Sequence, residues 1–278
     1  MTDVVLYRED DGVAYLTLNR PESLNALNPS VFSLLGRHMD FFAAESTARV
    51  LILHGKGSSF AAGADIKHYV DLTPERYADF MRVGNAIQQK FIECPKPVIA
   101  SVHGYALGGG LELALVCDLI VAAPDAQLGL PEVKLGLLPG GGGTQRLARL
   151  IGPIRAAEVI MAARRFSGEE AASWGLALGV RDSSSALEAA EVIARRIARQ
   201  APLPVRAAKT LIRTSRDTPT DTGLAVEQSL GAAIYGSADA REGIAAFVEK
   251  RSAQFGGDAS QNGGAATSQA TSFLREAR

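Results

Sequence analysis

The chain has 278 residues, of which 47% are hydrophobic and 21% charged, a composition typical of one or two globular domains. Lys and Arg total 29 and Asp and Glu total 30, so the net charge of −1 provides no basic footprint for nucleic acid or an anionic membrane. Two cysteines, Cys94 and Cys117, are too few for a disulfide framework and suit a reducing compartment. With no secretory signal and no apolar stretch of transmembrane length, we expect a cytoplasmic protein.

The first half of the chain predicts alternating strands and helices, which indicates an α/β fold. Asp11-Gly12 suits a tight hairpin turn between the first two strands, and Gly108 to Gly110 directly precede the third helix. The predicted strands are 4–7, 13–18, 50–53, 97–102 and 119–122, and the predicted helices are 29–45, 74–93 and 111–116.

From about residue 143 the pattern is mainly helical. Gly152 is typical of a helix end, and Ser167 with Glu170 and Ser185 with Glu188 are capping boxes that begin two helices. The other predicted helices are 144–151, 153–163, 221–235 and 239–253. Residues 256–278 are rich in Gly, Ala, Ser, Thr and Gln, so we expect a disordered tail outside the core.

Several common catalytic motifs are absent from the sequence. There is no Walker A motif, no GxGxxG dinucleotide fingerprint and no GxSxG nucleophile elbow. The four histidines lack the spacing of a zinc site, so we expect no metal centre.

Two glycine-bearing loops and two glutamates remain. Small residues in the loop 59–65 allow backbone N–H groups to face a cavity, and the glycines of 104–112 leave the first N–H groups of a helix available for developing negative charge. Glu112 and Glu132 lie among apolar residues, which predicts a raised pKa. Taken singly, these features equally fit a surface turn, close helix packing, an exposed loop glutamate and a helix N-terminal glutamate. Together they favour an acid/base pair beside an oxyanion hole.

Several spaced blocks of the chain resemble the crotonase superfamily, and within it the enoyl-CoA hydratases. The resemblance extends over about residues 4–255. The blocks are NRP at 19–21 with NAL at 25–27, FAAGADI at 60–66, KPVIASVHGYALGGG at 96–110, ELA at 112–114 with CD at 117–118, PE at 131–132 through PGGGGTQRL at 139–147, and REGIAAFVEKR at 241–251.

The resemblance implies a repeated ββα spiral core over residues 1–197 and a C-terminal helical segment over 198–255 that forms a homotrimer or a dimer of trimers. It implies that the N–H groups of Ala64 and Gly109 form an oxyanion hole, that Glu112 activates water and that Glu132 delivers a proton to C2. The implied reaction adds water reversibly to a 2-enoyl-CoA thioester. Coenzyme A is then part of the substrate, and no further cofactor is expected.

The resemblance also implies a set of residues that bind the CoA thioester. Phe247 and Lys250 are expected to approach CoA from a neighbouring subunit. Glu22 departs from the family, because many relatives have a basic residue there that could pair with a CoA phosphate. The remaining expected contacts are Ser23, Leu24, Ala26, Ala62, Asp65, Ile66, Tyr105, Gly108, Pro131 and Gly140.

Two alternatives to hydration stay open from the sequence. One is an enoyl-CoA isomerase, which would shuttle a proton without added water, or another acyl-CoA enzyme of the family. A non-catalytic relative could instead bind a CoA ester or RNA. RNA binding is disfavoured, because the helix predicted at 74–93 has only Arg76, Arg82 and Lys90 as basic residues.

Overall fold

The computed structural model of the protein describes residues 3–180 and 185–256. The chain divides into two compact units, one formed by Met1–Cys94 and Val98–Arg195 and the other by Pro95–Pro97 and Arg196–Arg278. The tail predicted to be disordered lies outside the described residues, apart from Gly256. Within the described ranges, no helix is both long enough and apolar enough to cross a membrane.

The first unit contains two sheets. The larger has the order β1-β2-β3-β4-β6-β9 and the smaller β5-β7-β8, and β1 with β2 forms the predicted antiparallel hairpin around Asp11 and Gly12, both in the left-handed region. The inner neighbours pair in parallel, as in the register of Leu51 with Val98. The strands are β1 Val5–Asp10, β2 Val13–Leu18, β3 Val50–Gly55, β4 Val98–Val102, β5 Tyr105–Leu107, β6 Leu119–Ala122, β7 Gln127–Gly129, β8 Phe166–Ser167 and β9 Leu178–Gly179.

Ten helices are found within the described residues. They are α1 Pro29–Ala44, α2 Pro74–Glu93, α3 Gly109–Ala114, α4 Gly143–Ile151, α5 Pro153–Met161, α6 Gly168–Ser173, α7 Ala186–Ala198, α8 Pro202–Thr214, α9 Thr220–Tyr235 and α10 Ala238–Val248. Asn28 caps α1 by accepting from the Val31 N–H, and Ser167 with Glu170 forms the predicted capping box of α6. Two strands followed by a helix recur as β1–β2–α1, β4–β5–α3 and β6–β7–α4, which confirms the predicted α/β class with a ββα repeat.

Each unit has its own apolar core. In the first, Leu16, Phe42, Leu51 and Phe91 are fully buried between the large sheet and its helices. Burial of one such side chain contributes about 1.5–3 kcal/mol relative to an exposed one. In the second unit, α8 and α9 pack through a smaller cluster of Ala207, Val226 and Leu230.

Some elements have bounds other than those predicted, and others were missed. The third helix begins at Gly109 rather than residue 111, and it packs so tightly on the loop 59–65 that a Cβ on Gly110 would lie 2.1 Å from the Ala61 carbonyl oxygen. The last helix ends at Val248 rather than 253, shortly before Lys250 turns into the left-handed region. Helix α8 was not predicted, because its first turn contains prolines, which usually indicate a break. Pro202 stands at the N-terminus of the helix, where proline is tolerated. Strands β5, β7, β8 and β9 are too short to show a hydrophobic period.

Candidate active site

A cavity of about 140 Å³ lies in the first unit, between α2, the start of α3 and the loops that carry Ala64 and Glu132. Nine of the residues expected from the sequence line it, and aromatic and aliphatic side chains provide most of the remaining wall. The nine are Ala62, Ala64, Ile66, Gly108, Gly109, Glu112, Pro131, Glu132 and Gly140.

Glu112 lies in the first turn of α3 and is only 4% exposed. Its Oε1 accepts two backbone hydrogen bonds, from the Gly141 N–H at 2.7 Å and from the Gly143 N–H at 2.8 Å. Burial raises the pKa of Glu112, while the two N–H groups and the nearby charge of Arg146 oppose that rise. One carboxylate oxygen is therefore fixed by the backbone, and no hydrogen bond from a described residue occupies Oε2.

Glu132 begins a short 3-10 helix, Glu132–Leu135, directly after Pro131. Its Oε2 is buried and has no hydrogen-bond partner among the described residues. Burial raises the pKa of Glu132 to about 7, its own backbone N–H opposes the rise, and the charge of Glu112 adds to it. The side chain is therefore close to half-protonated at neutral pH, which suits a group that delivers and recovers a proton.

The loop between β3 and α2 holds the Ala64 amide beside the start of α3. The Leu27 N–H donates to the Gly63 carbonyl and the Asp65 N–H donates to the Leu27 carbonyl, so both neighbours of Ala64 are fixed. The same loop is tied to β5, because the Ala61 N–H donates to the Tyr105 carbonyl and the Leu107 N–H donates to the Ala61 carbonyl. This bracing leaves the Ala64 N–H without a protein acceptor among the described residues.

The Gly109 amide faces the same region as that of Ala64. Gly109 is the first residue of α3, so its N–H has no acceptor one turn earlier within the helix. A Cβ placed on Gly109 would lie 3.6 Å from the Ala64 nitrogen. The two amides therefore lie close together at the cavity, and their predicted role in binding a developing oxyanion stays a prediction.

Gly108 cannot be replaced easily at the junction between β5 and α3. Its φ of +51° lies in the left-handed region, and a Cβ there would come within 3.1 Å of Glu132 Oε1. Glycine at this position thus lets the backbone before α3 and the Glu132 carboxyl approach each other.

The other expected residues of the first unit do not line the cavity. They are Ser23, Leu24, Ala26, Asp65 and Tyr105. Arg20 forms a salt bridge of 3.0 Å with Asp65 and donates to the Ala26 carbonyl. The Leu24 carbonyl accepts from the Ala62 N–H, and Leu24 has a left-handed φ of 47°. These contacts join the segment around Ser23 to the loop that carries Ala64. Tyr105 is exposed on β5, where the Arg165 guanidinium lies 5.6 Å from its ring centre.

Phe247 and Lys250 belong to the second unit. Phe247 is 85% exposed near the end of α10, and Lys250 follows that helix with a φ of 56°. The predicted contribution of these two residues to CoA binding by a neighbouring subunit stays a prediction.

The helix that begins at Pro74 was expected to contribute to the acyl pocket, but sequence reasoning named none of its residues as site residues. Tyr77, Met81, Gly84 and Gln88 line the cavity from this helix together with Phe80, and the spacing of three to four residues from 77 to 81, 84 and 88 places them on one helical face. That spacing was visible in the sequence, but it equally fits core packing. Sequence reasoning also missed the N–H groups of Gly141 and Gly143, whose role depends on a fold of the chain that no local pattern reveals.

The loop 59–65 is not a surface turn. Ser59, Phe60 and Ala61 are buried, and Ala62, Gly63 and Ala64 line the cavity. Glu112 is likewise buried, and it stands in the first turn of α3, as expected for a helix N-terminal glutamate, while it also lines the cavity.

Comparison with known proteins places the chain among CoA-thioester enzymes. The family described as enoyl-CoA hydratase/isomerase matches residues 8–258. A probable enoyl-CoA hydratase of Bacillus subtilis is 38% identical over 90% of this chain and 97% of its own, and a 2,3-dehydroadipyl-CoA hydratase of Escherichia coli is 37% identical over 92% and 100%. The crystal structure of an enoyl-CoA hydratase from Bacillus anthracis superposes with a TM-score of 0.88, at 36% identity over 92% of this chain and 100% of that one.

Proposed function

The chain belongs to the enoyl-CoA hydratase/isomerase family, and we propose that its cavity catalyses the reversible addition of water to a 2-enoyl-CoA thioester, which gives a 3-hydroxyacyl-CoA. The observation that carries this proposal is that the carboxyls of Glu112 and Glu132 line one cavity together with Ala64 and Gly109, two residues that lie close to each other. Hydration requires a base for water and an acid for carbon, and this pair can supply both.

The first part of the proposed mechanism is binding of the thioester oxygen by the N–H groups of Ala64 and Gly109. Attack of water at C3 pushes the electrons of the double bond toward C2 and the carbonyl, so negative charge develops on that oxygen. Two fixed donors stabilise this charge without reorganising, and loss of one such donor typically lowers the rate by a factor of about 10²–10³.

The second part is a pair of proton transfers. Glu112 Oε2 removes a proton from water as its oxygen bonds to C3, and Glu132 gives its proton to C2 as the enolate collapses. The product gains one hydroxyl at C3 and one hydrogen at C2, so no electron leaves the substrate. The proposed reaction therefore uses coenzyme A only as part of the substrate and requires no redox cofactor.

Hydration and isomerisation are separated by the fate of the oxygen of water. We expect wild-type protein with crotonyl-CoA in ¹⁸O-labelled water to place the label at C3 of the product. Isomerisation moves a proton between C2 and C4 and incorporates no oxygen. An unlabelled product, or no loss of the enoyl-thioester absorbance, would contradict the hydratase proposal.

We propose that the CoA portion lies along the segment around Ser23, Leu24 and Ala26 and the neighbouring residues Ala62, Asp65 and Ile66. The bond between the Leu24 carbonyl and the Ala62 N–H supports this, because it joins the two segments into one surface. Tyr105, Gly108, Pro131 and Gly140 are proposed contacts of the thioester and acyl portions. Glu22 adds no positive charge to this surface, so phosphate contacts are assigned to other residues, including Lys250.

We propose a homotrimer or a dimer of trimers in the cytoplasm. Large apolar side chains on the helices of the second unit support association, among them Ile212, Tyr235, Phe247 and Val248, each more than 70% exposed. Reduced Cys94 and Cys117 suit a reducing compartment. Sedimentation equilibrium checks the assembly, and a monomer at micromolar concentration would contradict it.

A further inference from the structure

Gln88 is a buried polar residue of the cavity that the mechanism above does not use. It lies on α2, is 3% exposed and lines the cavity beside Glu112. A polar side chain buried against an apolar wall is costly unless its amide has partners. Its surroundings therefore determine what each end of the amide can bind.

Arg146 fixes the orientation of the Gln88 amide. Its Nη1 donates to Gln88 Oε1 at 3.4 Å and also to the Gly141 carbonyl. A guanidinium has donors only, so the amide end that faces it must be the oxygen. The Nε2 end is consequently turned away from Arg146, and the usual ambiguity between the two ends of a glutamine is resolved.

The Nε2 end lies beside the unoccupied oxygen of Glu112. A Cβ built on Gly141 would meet Glu112 Oε2 at 2.5 Å and Gln88 Nε2 at 2.6 Å. Two atoms that close to one point are at most about 5 Å apart, and one water with hydrogen bonds of ordinary length spans that separation. No direct hydrogen bond joins the two side chains within the described residues.

We propose that Gln88 is a further catalytic residue, whose amide Nε2 donates a hydrogen bond to the water that Glu112 activates, and that Arg146 is the positioning residue that holds the amide in this orientation. The inference rests on the proposed hydratase function. The water would give a proton to Glu112 Oε2 and accept from Gln88, which leaves one lone pair directed by both groups toward C3.

The same contacts connect Arg146 to both ends of the site. Its bond to the Gly141 carbonyl holds the peptide segment whose N–H binds Glu112 Oε1. Loss of Arg146 would thus loosen the base and its water together, whereas loss of Gln88 would release the water alone.

The test uses Gln88→Met in the full chain, because methionine keeps the length and volume of glutamine without a donor. We expect kcat for hydration of crotonyl-CoA to fall about tenfold with KM within about twofold, as one positioning hydrogen bond is lost. Exchange of the C2 hydrogens of saturated butyryl-CoA with deuterated water requires Glu132 and the two amides but no attacking water, so we expect its rate to stay within about twofold of wild type.

The matched control is Gln89→Met on the same helix, where Gln89 is exposed and bonds only to Glu93 on the surface. It should leave both rates unchanged. In an Arg146→Met background, the effect of Gln88→Met should shrink to less than about threefold, because the amide has already lost its fixed orientation.

Two results would overturn the inference. A wild-type kcat in Gln88→Met would show that the amide does not hold the water. An equal fall of hydration and C2 exchange would show a general structural role. Both results leave the proposed function intact, whereas a wild-type protein that never hydrates the enoyl thioester would overturn the proposed function and this inference with it.

Discussion

Glu112 and Glu132 face the same cavity but are held by opposite surroundings. Glu112 is almost fully buried, yet two backbone N–H groups and a nearby arginine favour its charged form. Glu132 is less buried, yet one of its oxygens has no partner among the described residues and its pKa is raised to about 7. From burial alone, Glu112 would be assigned the higher pKa, although it is Glu132 whose pKa is raised to about 7.

The difference teaches that hydrogen-bond partners, and not depth, separate the acid from the base. Fixed N–H donors are the same groups at every pH, so they stabilise a carboxylate without being titrated. A buried oxygen without a donor favours the protonated form instead. Within the proposed reaction, Glu112 is therefore the base and Glu132 the acid, although the two titrate as a coupled pair.

Replacement of each carboxyl by its amide gives the largest expected effect. We expect Glu112→Gln and Glu132→Gln each to lower kcat for crotonyl-CoA by about 10³, because each removes one proton-transfer group. The two should differ in C2 hydrogen exchange of butyryl-CoA, which Glu112→Gln retains and Glu132→Gln loses. Loss of exchange in both variants alike would contradict the division of roles.

Filling the space beside Glu112 with a methyl group is expected to give the second-largest fall in kcat. A Cβ on Gly141 would lie 2.5 Å from Glu112 Oε2, so Gly141→Ala must displace the carboxyl or its loop. We expect kcat to fall about 10²-fold, since displacement of about 1 Å at a reacting group has effects of that size. Gly179→Ala is the control, because the nearest atom there is 3.5 Å away. Equal kinetics of the two variants would refute the claim that backbone donors fix Glu112.

Much of this arrangement could be predicted from the sequence, but not the contacts that distinguish the base from the acid. Long helices such as α1 and α2 have strong periodicity and clear caps, and the blocks around Ala64 and Glu112 resemble a known family. The donors to Glu112 lie 29 and 31 residues further along the chain, so no local pattern indicates them. Gln88 was hidden for another reason, because a polar residue on an amphipathic helix usually faces solvent.

The pH dependence of hydration gives a moderate effect. The reaction requires Glu112 deprotonated and Glu132 protonated, so kcat/KM should fall on both sides of a maximum. With a pKa of about 7 for Glu132, the rate should decrease about fivefold between pH 7 and pH 8. The residual rate of Glu132→Gln should lack this basic limb. A wild-type rate that is constant from pH 6 to pH 9 would contradict the assigned acid.

The smallest expected effect is on the free energy of unfolding of the substrate-free protein, which also depends on the raised pKa of Glu132. The folded pKa of Glu132 is raised above its ordinary value of 4.5, so the stability contributed by its protonated form is present at low pH and is lost as the pH rises through about 7. Glutamine is neutral at every pH. Glu132→Gln should therefore match wild type at pH 5 and be more stable at pH 8.5 by about 1 kcal/mol, after allowance for solvent screening.

Thermal unfolding measures this difference as a rise of about 2–4 °C in Tm at pH 8.5. Glu45→Gln, at an exposed position after α1, should show no such pH-dependent gain. A Glu132→Gln variant that is destabilised at pH 8.5 would mean that the folded protein stabilises the charged carboxylate. In that case the unpartnered oxygen would no longer distinguish Glu132 from Glu112, and the assignment of the acid would have to be reversed.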